Sequence, residues 1–185
     1  MPYSPGVLPF ESHARLLLVL HAILGAATVA ASTHLVVWLR GYLKGKPQRR
    51  RGVRRFAWIS LTLFALTFVA GNLGYPTYKV RVRTGYLENP PAVAASMPGK
   101  EPTEVEDRYE RTARMARWFD VKEHWVSLGL VLTVACALIL RRWEPSGPEE
   151  SAIAPLVFAM AVTAAATAWF AALVGLFVSS YRAIG

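Results

Sequence analysis

Two histidines lie within the first long apolar stretch of the sequence, and they are the only ionisable side chains between the two arginines that bound it. The stretch runs from Arg15 to Arg40 and holds twenty-four residues between those two arginines. At about 1.5 Å per residue a helix of this length covers about 36 Å, which exceeds the hydrocarbon core of about 30 Å. Because imidazoles are rare inside membrane spans, His21 and His34 are the first candidates for chemistry.

The spacing of these two histidines excludes a pair of haem ligands on one helix face. They are thirteen residues apart, which separates them by about 20 Å along a helix and turns them about 140° apart around it. His21 instead matches the depth of His124 in a later apolar stretch, and two histidines at one depth can ligate a b-type haem. Arg81 and Arg83 are expected at the same membrane face, where guanidinium groups pair with haem propionates. These four residues form our predicted haem b or quinone site at the outer leaflet.

The same membrane face also collects candidate ligands for a metal ion. The imidazoles of His13, His21 and His124 and the carboxylate of Glu123 are groups that bind copper or zinc. The sequence does not fix their mutual geometry, so Glu123 and His124 can equally form the solvated first turn of a helix. For His34 we expect a hydrogen bond to a neighbouring helix or a lipid headgroup rather than a metal.

Other kinds of site are excluded by the motifs that the sequence lacks. It contains no P-loop, no HExxH, no GxSxG and no paired-cysteine metal motif. No Asp or Glu lies deep within an apolar stretch, so a proton or cation relay is not expected. The single cysteine, Cys136, can form no disulfide within the chain. As a single chain, the protein is therefore not expected to be an enzyme or a transporter.

Four apolar stretches must position these candidate residues. The chain has 185 residues, of which 54% are hydrophobic, and its mean hydropathy is +0.30. Soluble domains of this size rarely carry several long apolar stretches. We predict one polytopic, all-α membrane domain over residues 1–185, a four-helix bundle. Its membrane spans are predicted at about residues 15–40, 56–74, 121–142 and 152–181.

The positive charges predict how the helices are oriented. Eight lysines and arginines lie between Arg40 and Arg55, with no acidic residue among them. By the positive-inside rule, this loop is cytoplasmic, and Arg141 and Arg142 place the loop after the third span on the same side. Both termini are then outside. The basic loop is expected to contact anionic lipid headgroups rather than nucleic acid.

The segment between the second and third spans, residues 75–120, is predicted to be an external loop. Gly74, Tyr75 and Pro76 are expected to end the second span. In the sequence YKVRVR after them, cations alternate with valines, which predicts an extended segment with an anion-binding face. Thr103 to Glu106 forms a capping box that opens an amphipathic helix over about residues 103–119. This helix either continues into the third span or bends at Asp120, and we favour the bend.

The segments YPTYKVRVR and FDVKEHW resemble recurring elements of bacterial membrane proteins. That resemblance carries no activity with it, and no property is transferred from it. The expected location is a bacterial cytoplasmic (inner) membrane. The sequence therefore predicts a small accessory subunit of a larger membrane complex, of which a respiratory complex is one type. The alternatives are an electron-transfer subunit with one b-type haem or a quinone, and a protein that binds copper or zinc at its outer face.

Overall fold

The computed structural model describes residues 8–143 and 153–182, and these residues are helical apart from short turns. The α-helices are α1 (Ala14–Leu43), α2 (Arg50–Thr77), α3 (Pro90–Ala95), α4 (Pro102–Arg142) and α5 (Ile153–Tyr181). Short 3-10 turns precede α1 and α2, at Glu11–His13 and Pro47–Arg49, and a π-helical segment, Tyr78–Leu87, follows α2. The predicted all-α class is confirmed.

Four of these helices are long and apolar enough to cross a membrane. They are Glu11–Leu43, Pro47–Leu87, Pro102–Arg142 and Ile153–Tyr181, each taken with the helical turns that adjoin it. Their most apolar windows have mean hydropathies from 1.7 to 2.0. The protein is thus a multi-pass integral membrane protein, as the sequence predicted.

The end of the second span differs from the prediction. Helix α2 passes through Pro76 without a break and continues into the π-helical segment as far as Leu87. The backbone widens there: the Glu88 N–H donates to the carbonyl oxygen of Arg83, five residues earlier, at 2.9 Å. The predicted extended conformation of YKVRVR is therefore wrong. A helix satisfies its backbone groups within the segment, whereas a single extended strand leaves them unpaired.

The start of the third span also differs. Helix α4 runs for 41 residues from Pro102 to Arg142 without interruption at Asp120, where we had favoured a bend. Residues 103–119 form its first part, so the separate loop helix is not confirmed. Two contacts explain the continuity. The Asp120 carboxylate binds an arginine side chain instead of capping a new helix, and Phe119 stacks on Tyr78 instead of lying exposed.

The chain divides into two compact units. The first unit, in the described residues, comprises 8–21, 69–123 and 173–182. It contains the π-helical segment and α3, which begins where the Asn89 side chain accepts a hydrogen bond from the Ala92 N–H at 3.2 Å. Thr112 joins α4 to the π-helical segment, because its hydroxyl lies 3.0 Å from the Leu87 carbonyl oxygen.

The second unit comprises residues 22–68, 124–143 and 153–172. Its core contains side chains from α1, α2, α4 and α5: Leu35, Leu39, Val53, Ala57, Cys136, Ala137, Leu140, Val157 and Ala161. Many of these side chains are small, which allows membrane helices to pack closely. The hydroxyls of Thr28 and Thr67 lie 2.9 Å apart and link α1 to α2, and Arg54 donates to the Leu140 carbonyl near the end of α4.

Candidate functional site

Arg83 is the centre of an ion-paired cluster in the first unit. Its Nη1 and Nη2 donate to the two carboxylate oxygens of Asp120 at 2.5 and 2.9 Å, a bidentate arrangement. Its Nε donates to Oε1 of Glu88 at 3.1 Å. The π-helical turns bring Arg83 to face α4. Glu88 lies five residues after Arg83, directly after the π-helical segment. The guanidinium is thus held by two carboxylates of the same chain.

Arg81 has a carboxylate partner of its own. Its Nε donates to Oε1 of Glu11 at 2.7 Å, so the turn before α1 is tied to the π-helical segment. Neither Arg81 nor Arg83 is therefore an open cation. A haem propionate or another anion at either arginine would compete with that carboxylate.

Aromatic rings and a lysine surround this cluster. Tyr78 stacks on Phe119 with the ring centroids 3.9 Å apart and the ring planes 20° apart. The Lys122 Nζ lies 4.8 Å from the centre of the Phe119 ring, an arrangement that stabilises a cation. The ammonium group lies beside Gly175 of α5, where a Cβ would be in ordinary van der Waals contact, 3.6 Å from Nζ. The contacts join the π-helical segment, α4 and α5 in the first unit.

The predicted histidine ligands lie in different environments. His21 is half-buried and its ring packs against Gly71 of α2, where a Cβ would come within 2.9 Å of the ring Cε1. His13 is exposed, with Nδ1 2.9 Å from the hydroxyl of Ser12. His124 is also exposed and belongs to the second unit, whereas Glu123 belongs to the first.

These residues do not form a recognisable metal centre. Within residues 8–143 and 153–182, no group of three or more His, Cys, Asp or Glu side chains is arranged to hold a metal ion. The copper or zinc hypothesis for His13, His21, Glu123 and His124 stays a prediction from the sequence. The haem or quinone site at His21 and His124 likewise stays a prediction.

His34 makes a hydrogen bond within its own helix and not to a neighbouring helix, which was one of the two expected partners. The other expected partner, a lipid headgroup, stays a prediction. Its Nδ1 lies 2.9 Å from the carbonyl oxygen of Ala30. The ring stacks on Phe56 of α2, with centroids 5.5 Å apart and planes at 20°. Although it is held on two sides, the side chain of His34 is exposed.

The sequence reasoning missed the carboxylates that hold the arginines. Asp120 lies 37 residues after Arg83 in the chain, and Glu11 lies 70 residues before Arg81. One signal was available, because oppositely charged side chains at the same ends of consecutive spans can pair. The contact between Lys122 and Phe119 could also have been predicted, because residues three apart on a helix are neighbours.

No protein-family model, curated protein or solved structure matches this chain. The described residues form an ion-pair cluster around Arg83, and four of their helices are long and apolar enough to cross a membrane.

Proposed function

We propose that the protein is a small accessory subunit of a larger membrane complex, with respiratory complexes as the first class to test. The observation that carries this proposal is that Asp120 and Glu88 both form hydrogen-bonded ion pairs with Arg83. A site for an anionic substrate or cofactor keeps its cations open, whereas these carboxylates accept hydrogen bonds from all three nitrogens of one guanidinium. Such a cluster stabilises a scaffold rather than performing a reaction.

An accessory subunit also needs surfaces that its partners can cover. In the first unit, Trp118 is 45% exposed on α4, and tryptophan is enriched at protein interfaces. In the second unit, α5 carries exposed alanines at Ala159 and Ala166, about two helical turns apart. Small residues at this spacing let another membrane helix approach closely. These surfaces support a role in assembly.

Native electrophoresis of the affinity-tagged protein in a mild detergent tests the proposal. We expect an assembly several times larger than the 20.4 kDa chain. Replacing Ala166 by Leu should weaken the assembly, because the larger side chain separates the helices. The matched control is Ala30→Leu, another exposed alanine on a different helix. A wild-type protein that migrates as a single chain would refute the accessory role.

The proposed location is a bacterial cytoplasmic membrane, with both termini outside and the loop of residues 40–55 in the cytoplasm, against anionic headgroups. The density of cations in that loop supports this orientation. Labelling with a membrane-impermeant thiol reagent tests it in a Cys136→Ser background. Gln48→Cys, in the basic loop, should be protected in intact cells, and Ala95→Cys in α3 should react. The reverse pattern would overturn the orientation.

The second candidate function is electron transfer with one b-type haem or a quinone. It is supported by the position of the His21 ring, which packs against Gly71 of the neighbouring helix. An optical spectrum of the purified protein separates the two proposals. A stoichiometric Soret band that disappears in His21→Leu and persists in His13→Leu would favour haem. A spectrum with no Soret band would end the haem hypothesis.

A further inference from the structure

A groove of about 430 Å³ lies along α1 and α5 within the second unit. It is lined by small aliphatic residues and a few larger polar or aromatic ones: Ala26, Val29, Ala30, Thr33, His34, Trp169 and Ala172. The groove is open on one side, and its volume and mainly apolar walls with few polar groups fall within the range of sites for small ligands. The groove is distinct from the ion-paired cluster, which belongs to the first unit.

Two of the polar side chains that line the groove bind each other. The Thr33 hydroxyl donates to the carbonyl oxygen of Val29 at 2.7 Å. The Thr33 hydroxyl oxygen in turn accepts a hydrogen bond from the indole N–H of Trp169 at 3.1 Å. Thr33 and Trp169 therefore offer no open donor to a ligand, and the indole ring, with Trp169 51% exposed, contributes mainly a flat aromatic surface.

His34 is different, because the geometry of its hydrogen bond defines its tautomer. The Ala30 carbonyl oxygen 2.9 Å from Nδ1 can only accept, so Nδ1 carries the proton. In the neutral imidazole, Nε2 then carries a lone pair and is an acceptor. The described residues provide no donor to Nε2. His34 lines the groove, and its Nε2 is an acceptor that no described residue satisfies.

The position of His34 makes this acceptor significant. It lies six residues before Arg40, or about 9 Å along the helix from the first cation of the basic loop. Hydrocarbon supplies no hydrogen-bond donor at such a depth, so an occupant that brings one is favoured over a lipid chain. A neutral hydroxyl meets this need with little cost of desolvating charge.

We propose that the groove binds a membrane-soluble phenol or hydroquinone. Its hydroxyl donates to Nε2 of His34, and its ring packs on the exposed face of Trp169 by offset stacking. Its apolar tail lies along α1 towards Ala26, eight residues away or about 12 Å along the helix. The methyl groups of Ala26 and Ala30 leave the space that the ring and tail occupy.

Binding of a decyl-substituted 1,4-hydroquinone to the full chain tests the proposal. The protein is placed in phosphatidylcholine nanodiscs under argon, and the affinity is measured by calorimetry. The comparison ligand is the dimethyl ether of the same compound, which has the same shape but no donor. We expect the hydroquinone to bind saturably and about five- to tenfold more tightly than the ether, the range of one net hydrogen bond. Nitrogen-15 NMR of histidine-labelled protein should show one Nε2 resonance shifting with the hydroquinone alone.

Three variants locate the site. His34→Leu should weaken hydroquinone binding about five- to tenfold and bring it to the level of the ether. Ala30→Leu should abolish the binding of both ligands, because the new side chain fills the groove. Thr62→Leu, which enlarges an exposed side chain on α2 outside the groove, is the control and should bind like the wild type.

Several results would overturn the proposal. Equal affinity for the hydroquinone and its ether, or binding unchanged in His34→Leu, would remove the hydroxyl contact. Binding unchanged in Ala30→Leu would place the ligand elsewhere. Absence of binding in a protein that light scattering shows to be a dimer, with Ala30→Leu restoring the monomer, would make a second copy of the chain the occupant.

Discussion

The ion pair between Arg83 and Asp120 should stabilise the first unit measurably. Its two hydrogen bonds, at 2.5 and 2.9 Å, are charge-assisted and bidentate, and the side chains of Arg83 and Asp120 are 21% and 37% exposed. Fully exposed pairs contribute about 0–1 kcal/mol, and breaking fully buried pairs costs about 3–5 kcal/mol. This half-buried pair lies between the two cases. We expect a coupling free energy of about 1–2 kcal/mol.

A double-mutant cycle measures this coupling. Arg83→Gln, Asp120→Asn and the double variant are unfolded by sodium dodecyl sulfate in mixed micelles, with the free energy of unfolding read from circular dichroism. The cycle is needed because Arg83→Gln also removes the hydrogen bond to Glu88, and that loss cancels between the two arms.

The matched control is an exposed pair in the same unit. Lys100 and Glu104 lie 3.0 Å apart with side chains 55% and 50% exposed. Their coupling should not exceed about 0.5 kcal/mol. High salt should reduce the coupling of the control pair by a larger fraction than that of Arg83 with Asp120. A coupling for Arg83 and Asp120 no larger than that of the control would refute the view that this pair fastens the π-helical segment to α4.

Further predictions concern packing and buried polar groups. Gly129→Ala should lower the free energy of unfolding by about 1–3 kcal/mol, because a Cβ there would lie 2.8 Å from the Phe64 ring. Gly25→Ala is the matched control: its Cβ would be 3.9 Å from the nearest side chain, so the better helix propensity of alanine should leave stability unchanged or raise it by up to about 1 kcal/mol. Thr112→Val should cost about 1–2 kcal/mol, because it removes the hydroxyl that lies 3.0 Å from the Leu87 carbonyl. Each is measured by the same unfolding assay, and equal effects at Gly129 and Gly25 would contradict the packing argument.

The four spans could be predicted because hydrophobic length is a property of each segment alone. The first span was predicted at residues 15–40, and α1 runs from Ala14 to Leu43. A chain segment of this length and composition is stable in hydrocarbon only if its backbone bonds are made internally, which requires a helix. No knowledge of the neighbouring helices is needed for that step.

The segment YKVRVR shows where a local pattern misleads. Its alternation of cations and valines has a period of two, which suggested an extended chain. The structure continues the hydrogen bonding of α2 instead and buries Tyr78, Val82 and Tyr86, which are four residues apart. The spacing of these three larger side chains was already helical. The prediction followed the alternation of the charged residues instead.

The sequence by itself determined that this is an all-helical, multi-pass membrane protein, and that His21, His34, Arg81 and Arg83 were the residues to examine. Only the tertiary structure decided what each does. It gave Arg83 its two carboxylates and placed His34 at a groove, where no described residue donates to its Nε2. The reason is that membrane insertion depends on the summed transfer energy of one segment. The partner of a charge or a lone pair depends instead on which residues, distant in the chain, the packing of helices brings within about 3 Å.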